Sequence, residues 1–186
     1  MVELSGNDFE EWPLNDEGYP YRQAARVILL DSRNRIFLIR GHDLDDPTHT
    51  WWFTPGGGRE GDESAQQAAI RELREETGLS IDVERLSGPV IKRSALFRFL
   101  AQVRKQDEEF FIVRLSEAEA SSLVASDSRG WTALERKVLD EQRWWDLDEL
   151  EKIQLQGQKV FPAGLVAYVR QWEEKWDGIC HIIAEE

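Results

Sequence analysis

The sequence predicts an α/β sandwich, because stretches with the pattern of strands alternate with a few stretches that have helical spacing. Three features carry this prediction: a pair of apolar runs around DSRNR, a helical repeat that begins at Ser64, and two further apolar runs after that repeat. The 186 residues are enough for one domain with a sizeable core. We expect a polar lead-in over residues 1–22 and a single domain over residues 23–186 that includes a C-terminal helix.

The first half of the chain predicts three strands and a helix. AARVILLDSRNRIFLIR indicates a strand, a turn and a second strand, and THTWWFTPGGG indicates a short aromatic strand that stops at Pro55. Small and apolar residues then recur every four positions, at Ala65, Ala69, Leu73 and Thr77. Since Ser64 with Gln67 matches a capping box, we expect a helix from Ser64 to Thr77.

The second half predicts a long hairpin followed by weaker elements. VIKRSALFRFLAQV and EEFFIVRL have the pattern of two strands, with RKQDE as a polar turn between them. SEAEASSLVAS and WTALERKVL are typical of short helices, QRWW of a strand, and DLDEL of the start of another helix. In FPAGLVAYVRQWEEKW, Pro162 suits the first turn of a helix and Gly178 its end. One apolar stripe supports that helix: Leu165, Val166, Val169, Trp172 and Trp176.

Composition narrows the class of protein. The net charge of -13 disfavours binding of an extended phosphate backbone, whereas a small anionic ligand remains compatible if a divalent cation mediates the contact. The single cysteine, Cys180, allows no internal disulfide and is expected to pack as a free thiol in a short tail. The N-terminal residues lack the pattern of a secretory signal, and no apolar stretch has membrane-spanning length, so we expect a cytoplasmic protein.

The stretch RELREETGL places three glutamates at the C-terminal end of the predicted helix. Glu72, Glu75 and Glu76 share one helix face, where like charges repel and the helix dipole disfavours acidic groups. Each such pair costs roughly 0.2–0.5 kcal/mol on an exposed helix. Arg71 can pair with Glu75, but one cation cannot neutralise three carboxylates. A hard divalent cation such as Mg²⁺ prefers carboxylate oxygens and offers a reason for the arrangement.

Three glycines in PGGGREGDE precede this helix, and they allow a backbone or ligand to approach without a Cβ in the way. Either feature alone is weak, since an acidic helix face is commonly solvated and a glycine-rich turn is commonly a loop. The combination at fixed spacing resembles the Nudix hydrolase family. The motif runs from Gly57 to Leu79, and GGREGDESAQQAAIRELREETGL matches its every fixed position: Gly57, Glu63, Arg71, Glu72, Leu73, Glu75, Glu76, Gly78 and Leu79.

The resemblance implies an α/β/α sandwich around a mixed β-sheet and a loop, helix and loop that bind Mg²⁺ or Mn²⁺. It implies that Glu75 and Glu76 are the main metal ligands and that Glu72 is a ligand or the base that activates water. Arg71 would orient the glutamates and Glu63 would stabilise the loop. The Gly56 carbonyl is expected to add a metal oxygen.

Further candidate site residues lie outside the motif. Three glutamates could serve as a further acidic group: Glu109, Glu135 and Glu141. For substrate binding the sequence offers Arg40, Trp52, Arg93 and Glu109, with Arg26 as a further arginine on the predicted sheet. Most tryptophans of the pairs Trp51-Trp52 and Trp144-Trp145 are expected in the core, since adjacent strand residues face opposite sides. His42 and His49 flank the acidic loop DLDDPT, which is expected to be solvated.

The resemblance implies metal-assisted hydrolysis of a nucleoside diphosphate linked to another group, or of a related small organic diphosphate, by water attack at phosphorus. Two alternatives belong to other classes: an isomerase like those of isopentenyl diphosphate, and a non-catalytic nucleotide sensor. The isomerase commonly needs a cysteine in its active centre, and a sensor usually has a degraded motif. We expect a small-molecule partner, no nucleic-acid polymer and no membrane. The exact substrate, the phosphorus attacked and a homodimeric state stay open.

Overall fold

The computed structural model of this chain describes residues 12–43, 46–99, 102–124 and 138–186. Those ranges contain nine strands: β1 Tyr21–Leu30, β2 Ile36–His42, β3 Thr50–Phe53, β4 Gly56–Gly58, β5 Ser87–Phe99, β6 Gln102–Arg114, β7 Leu139–Trp145, β8 Lys159–Phe161 and β9 His181–Glu185. They also contain four α-helices: α1 Ala65–Thr77, α2 Glu117–Val124, α3 Leu147–Leu155 and α4 Leu165–Gln171.

The strands form one mixed sheet. Its order is β8-β3-β2-β1-β6-β5-β9, with β4 paired to β1 and β7 paired to β2. The central pair, β1 and β6, is parallel from Tyr21 opposite Lys105 to Leu30 opposite Arg114. β1 pairs antiparallel with β2 and β4, and β5 pairs antiparallel with β6. The expected mixed α/β architecture is therefore confirmed.

Helices cover both faces of the sheet. Alternate residues of β1 point to opposite faces. Ala25 and Leu29 belong to a buried cluster with Leu73 of α1, whereas Ile28 belongs to a second cluster with Trp172 beside α4. The second cluster also contains residues of α3. Because β1 is covered on both sides, its last four residues are all buried, and the layers form an α/β/α sandwich.

Helix α1 has the ends that the sequence predicts. The hydroxyl of Ser64 accepts a hydrogen bond from the Gln67 N–H at 3.2 Å, and the Gln67 side chain accepts one from the Ser64 N–H at 2.7 Å. Gly78 ends the helix, and its N–H donates to the Arg74 carbonyl at 2.9 Å. The capping box thus fixes where the acidic helix begins relative to the glycines of β4.

Three expectations about other elements are wrong. RKQDE is no turn, because these residues lie within β6, and Phe99 pairs with Gln102. The C-terminal helix is short: it ends at Gln171, so Trp176 and Gly178 lie beyond it and Pro162 before it. The residues after Cys180 are not a tail, since β9 pairs in parallel with β5.

Two further observations concern the helices. The predicted helix WTALERKVL falls almost entirely outside the described residues. Over the ranges that the structure describes, no helix is both long enough and apolar enough to cross a membrane.

Candidate active site

Strand β4 consists of three glycines and lies between β1 and the acidic end of α1. Gly56 has a φ of +132°, and a Cβ at this position would lie 2.2 Å from the Ala25 carbonyl oxygen. A Cβ at Gly57 would lie 2.6 Å from the Glu72 carboxylate. A side chain at Gly56 would therefore clash with the backbone of β1, and one at Gly57 would displace the Glu72 carboxylate, which explains why the sequence has glycine at both positions.

Two of the motif glutamates pack against this glycine strand. Glu76 is buried, with 6% of its surface exposed, and its Oε2 accepts a hydrogen bond from the Gly56 N–H at 2.7 Å. Glu72 lies against Gly57. Burial raises the pKa of Glu72 above its usual value, although Arg71 acts in the opposite direction.

Arg71 holds the remaining acidic groups together. Its guanidinium donates hydrogen bonds to Glu63 at 2.7 Å, Glu72 at 2.8 Å, Glu75 at 3.2 Å and the Gly58 carbonyl at 2.8 Å. The hydrogen bond from Arg71 lowers the pKa of Glu63, which also accepts from the Glu60 N–H. Arg71 and the Gly56 N–H are therefore among the groups that accommodate the three helix glutamates.

The donor set matches a hard divalent cation in its chemistry. Carboxylate oxygens are the ligands that Mg²⁺ and Mn²⁺ prefer, and the missing Cβ of Gly57 leaves room beside the Glu72 carboxylate. Within the described ranges, no three His, Cys, Asp or Glu side chains are placed together as a ready metal site. In this arrangement Arg71 and the Gly56 N–H are among the partners of the carboxylates.

A buried group of charged residues adjoins the same glycine strand, and the sequence analysis largely missed it. Nη1 of Arg26 donates to the Gly56 carbonyl at 2.6 Å, and its Nε donates to Glu108 at 2.9 Å. Arg22 lies over the ring of Trp12 at 4.2 Å and donates to Gln106 at 2.6 Å. Burial, together with the charge of Arg26, lowers the pKa of Arg22 to about 10.

The sequence contains one signal that could have revealed this group. Asp107, Glu108 and Glu109 are consecutive, and consecutive residues of a strand face opposite sides. The Glu108 side chain must therefore point to the opposite face of the sheet from those of Asp107 and Glu109. The structure buries Glu108, whose side chain is 0% exposed, whereas that of Glu109 is 34% exposed.

An open cavity of about 360 Å³ adjoins the motif. Arg59 connects the two, because its guanidinium donates to the Glu63 carbonyl at 2.9 Å and to the Gln23 side chain at 2.7 Å while it lines the cavity. Charged side chains dominate the remaining wall: Lys92, Arg93, Lys105, Asp107 and Glu109. The lining is suited to a polar, charged ligand.

The structure separates the predicted substrate-binding residues. Glu109 and Arg93 line the cavity next to the motif. Arg40 lies elsewhere, near Asp140 at 3.5 Å and Glu141 at 3.3 Å. Trp52 is in the core, 4% exposed, so it offers no open face to a base.

The contacts of the remaining candidates are with residues other than the motif glutamates. Trp52 and Trp145 meet edge to face in the core with ring centres 4.9 Å apart. His42 pairs with Asp140 at 2.9 Å, and His49 pairs with Asp43. Glu141 pairs with Arg40, and Glu135 is outside the described residues.

Comparison with known proteins decides the family. The NUDIX domain model matches residues 20–166. The chain belongs to the Nudix family. An RNA pyrophosphohydrolase of Sphingopyxis alaskensis is 28% identical to it over 169 residues, which cover 82% of this chain and 95% of the relative.

Solved structures agree with the Nudix fold. A NUDIX hydrolase from Nitrosomonas europaea superposes with a TM-score of 0.54 at 17% identity, covering 83% of this chain and 91% of that one. An Ap4A hydrolase of C. elegans gives a TM-score of 0.51 at 17% identity, with 82% and 95% covered. At these identities the likeness shows the fold alone. Family membership makes this chain a Nudix hydrolase, an enzyme class that acts on phosphoric anhydride bonds.

Proposed function

We propose that this Nudix hydrolase is a metal-dependent pyrophosphohydrolase that cleaves a nucleoside diphosphate linked to another group. The observation that carries the proposal is the assembled motif, in which Arg71 contacts Glu63, Glu72 and Glu75 while Glu76 contacts the Gly56 N–H. Every ionisable position of the motif is present and in contact with another part of it. Such an intact site supports turnover rather than passive ligand binding.

The motif glutamates have different roles in the proposed reaction. Glu75 and Glu76, with Glu72, would hold Mg²⁺ or Mn²⁺, and the Gly56 carbonyl is a further candidate ligand. A bound cation of this kind neutralises charge on the diphosphate and lowers the pKa of water. As an alternative to a ligand role, Glu72 is the candidate general base, because its carboxylate lies against Gly57 on the helix face that it shares with Glu75 and Glu76.

Arg71 and Glu63 support the catalytic groups without taking part in proton transfer. Arg71 fixes the directions of the Glu72 and Glu75 carboxylates through its planar guanidinium. Glu63 in turn fixes Arg71 and the Glu60 N–H of the loop. The only cysteine of the chain, Cys180, lies beside β9 rather than in the motif. The proposed nucleophile is therefore water.

The cavity beside Arg59 is the proposed place for the part of the substrate beyond the scissile bond. It carries Lys92, Lys105 and Arg59, which suit phosphate oxygens, and Glu109, which suits a donor on a sugar or base. Its volume of about 360 Å³ suits a ligand of nucleotide size.

A second candidate substrate is the triphosphorylated 5′ end of RNA. The relative in Sphingopyxis alaskensis is named as an RNA pyrophosphohydrolase and aligns over 95% of its length. The net charge of -13 argues against this candidate, because a long phosphate backbone would be repelled outside a local basic patch. A short 5′-triphosphorylated oligonucleotide distinguishes the two substrates directly.

The proposal is tested by turnover in ¹⁸O-labelled water with Mg²⁺ and a set of nucleoside triphosphates, dinucleoside polyphosphates, nucleotide sugars and the oligonucleotide. We expect hydrolysis of at least one small nucleotide, with the label in one phosphate-containing product that identifies the phosphorus attacked. The double substitution Glu75→Gln with Glu76→Gln should abolish turnover, whereas Glu173→Gln with Glu174→Gln removes the same charge from exposed positions and should not. Wild-type turnover by the first variant, or a phosphorylated protein intermediate, would contradict the proposed chemistry.

A further inference from the structure

We infer that Glu108 is a positioning residue of this active site, which acts through Arg26 on the Gly56 peptide and thereby sets the place of Glu76. The inference rests on the proposed function for its role in turnover. Its geometric basis is a continuous series of contacts that crosses the sheet from the motif to the last strand of the chain.

Glu108 lies at the centre of this series. Its side chain is 0% exposed, and it accepts hydrogen bonds from Arg26 at 2.9 Å and from Arg93 at 2.5 Å. The Gln106 side chain donates to the same carboxylate. Burial alone would favour the neutral acid, but the two arginines outweigh it and the pKa of Glu108 lies below its usual value. Glu108 is thus a buried anion between two guanidinium groups.

Arg26 transmits this position to the glycine strand. While its Nε is held by Glu108, its Nη1 donates to the Gly56 carbonyl at 2.6 Å. The Gly56 N–H donates to Glu76 at 2.7 Å. Both polar groups of Gly56 are therefore fixed, one by Arg26 and one by the motif glutamate, at a residue whose φ of +132° only glycine adopts readily. A shift of Arg26 would be transmitted to Glu76 through the Gly56 peptide.

The other end of the series is on β9. Arg93 donates to Glu185 at 2.6 Å, and Glu185 also accepts a hydrogen bond from the Ala163 N–H ahead of α4. Glu185 is the last residue of β9, which pairs with β5 next to Arg93. The C-terminal strand therefore helps to hold the arginine that holds Glu108.

Stability alone is a poor explanation for these buried charges. The cost of removing two or more ions from water offsets most of their mutual attraction, so well-packed apolar residues would serve the fold as well. What an apolar pair cannot do is direct a guanidinium at a chosen carbonyl oxygen. Since the planar fork of Arg26 contacts a carboxylate and a carbonyl at once, orientation is the property that the series supplies.

The test compares Glu108→Gln with Glu119→Gln in the full-length protein. Glu119 is the control, because it also pairs with an arginine, Arg85 at 2.5 Å, but lies on α2 and is partly exposed. Turnover is measured well below the melting temperature, and Mn²⁺ binding is followed by the electron paramagnetic resonance signal of the free ion. We expect Glu108→Gln to lower kcat about tenfold with little change in KM and to weaken Mn²⁺ binding about tenfold. Glu119→Gln should lower only the melting temperature.

A second variant keeps the inference testable if Glu108→Gln does not fold. Arg26→Lys retains a cation opposite Glu108, but one ammonium group cannot reproduce the fork between Glu108 and the Gly56 carbonyl. It should fold and show the same losses. Wild-type kcat and Mn²⁺ affinity in the folded variants would overturn the inference while leaving the proposed function intact. If the wild type hydrolyses no diphosphate but the variants still weaken Mn²⁺ binding, the proposed function fails and the positioning role stands.

Discussion

The glycines of β4 show how a missing methyl group determines the geometry of this site. Gly57 lies directly under the Glu72 carboxylate, and a Cβ there would come within 2.6–2.7 Å of all three carboxyl atoms. The obstacle is the far end of a flexible side chain, so the protein can relieve the clash by turning Glu72 away. A methyl group at this position would therefore displace a catalytic group more than it would strain the fold.

Gly57→Ala should lower kcat at least about tenfold, because a misplaced base or ligand loses most of its effect, while the free energy of unfolding changes by no more than about 1 kcal/mol. Gly157→Ala is the control: nothing lies within 4 Å of its Cβ, but its φ of +97° disfavours alanine. It should cost about 1 kcal/mol of stability and leave kcat unchanged. Initial rates and urea unfolding of both variants check this. Equal kcat in Gly57→Ala and the wild type would show that Glu72 does not need this position.

At the same scale, the sequence predicts the motif residues, with Arg71 and Glu63 as their supports, but not the contact between Arg26 and Glu108 behind them. The spacing from Gly57 to Leu79 identifies the glutamates because they lie on one short loop and one helix. Glu108 and Arg26 meet only because β1 and β6 are parallel neighbours, with Ala24 opposite Glu108. That register depends on long-range pairing, so the sequence offers Glu109 as a candidate and does not distinguish its buried neighbour Glu108.

Among the elements, α1 is the helix whose sequence determines where it begins, where it ends and how closely it packs on the sheet. The reciprocal hydrogen bonds of Ser64 and Gln67 satisfy two N–H groups at its start, and Gly78 closes its end. Three buried alanines near its start then let the helix lie close to the sheet: Ala65, Ala68 and Ala69. The start of the helix fixes where Glu72, Glu75 and Glu76 fall relative to the glycines.

Ser64→Ala should lower the free energy of unfolding by about 1 kcal/mol, since the Gln67 N–H loses its acceptor. Ser121→Ala is the matched control, because that hydroxyl donates to the Glu117 carbonyl within α2, where alanine is the better helix former. It should cost less than half as much. Urea unfolding with a common m-value measures both. A loss at Ser64 no larger than at Ser121 would mean that the capping box adds nothing to α1.

The elements that the sequence did not predict are short or paired at a distance. β8 has three residues and β9 five, with alternating exposure rather than a continuous apolar run, so neither stands out from a loop. The predicted C-terminal helix is longer than the observed one for the opposite reason. The apolar stripe continues through Trp172 and Trp176, but the helix ends at Gln171, and Trp172, although fully buried, lies after its last turn.

Across the whole molecule, the acidic motif contributes to a net charge of -13. Any salt screens such charge, so a stabilising effect of Mg²⁺ is not by itself a sign of a site. A specific site is distinguished by its dependence on two carboxylates. The family and the fold are properties of the whole domain. Metal binding at the motif is tested by its effect on the stability of the protein in solution.

Adding Mg²⁺ should raise the free energy of unfolding by mass action, by about 2.7 kcal/mol at a hundredfold excess over the dissociation constant. Glu75→Gln with Glu76→Gln should remove this gain while leaving metal-free stability within about 1 kcal/mol, because Glu75 is half-exposed and glutamine can still accept from the Gly56 N–H. Melting temperatures are recorded in Mg²⁺ and in NaCl of equal ionic strength, so that screening is subtracted. Glu173→Gln with Glu174→Gln supplies the same change in net charge on the surface and should respond like the wild type. If Mg²⁺ stabilises both double variants equally, the cation acts on the charge of the whole protein and the motif glutamates do not hold it.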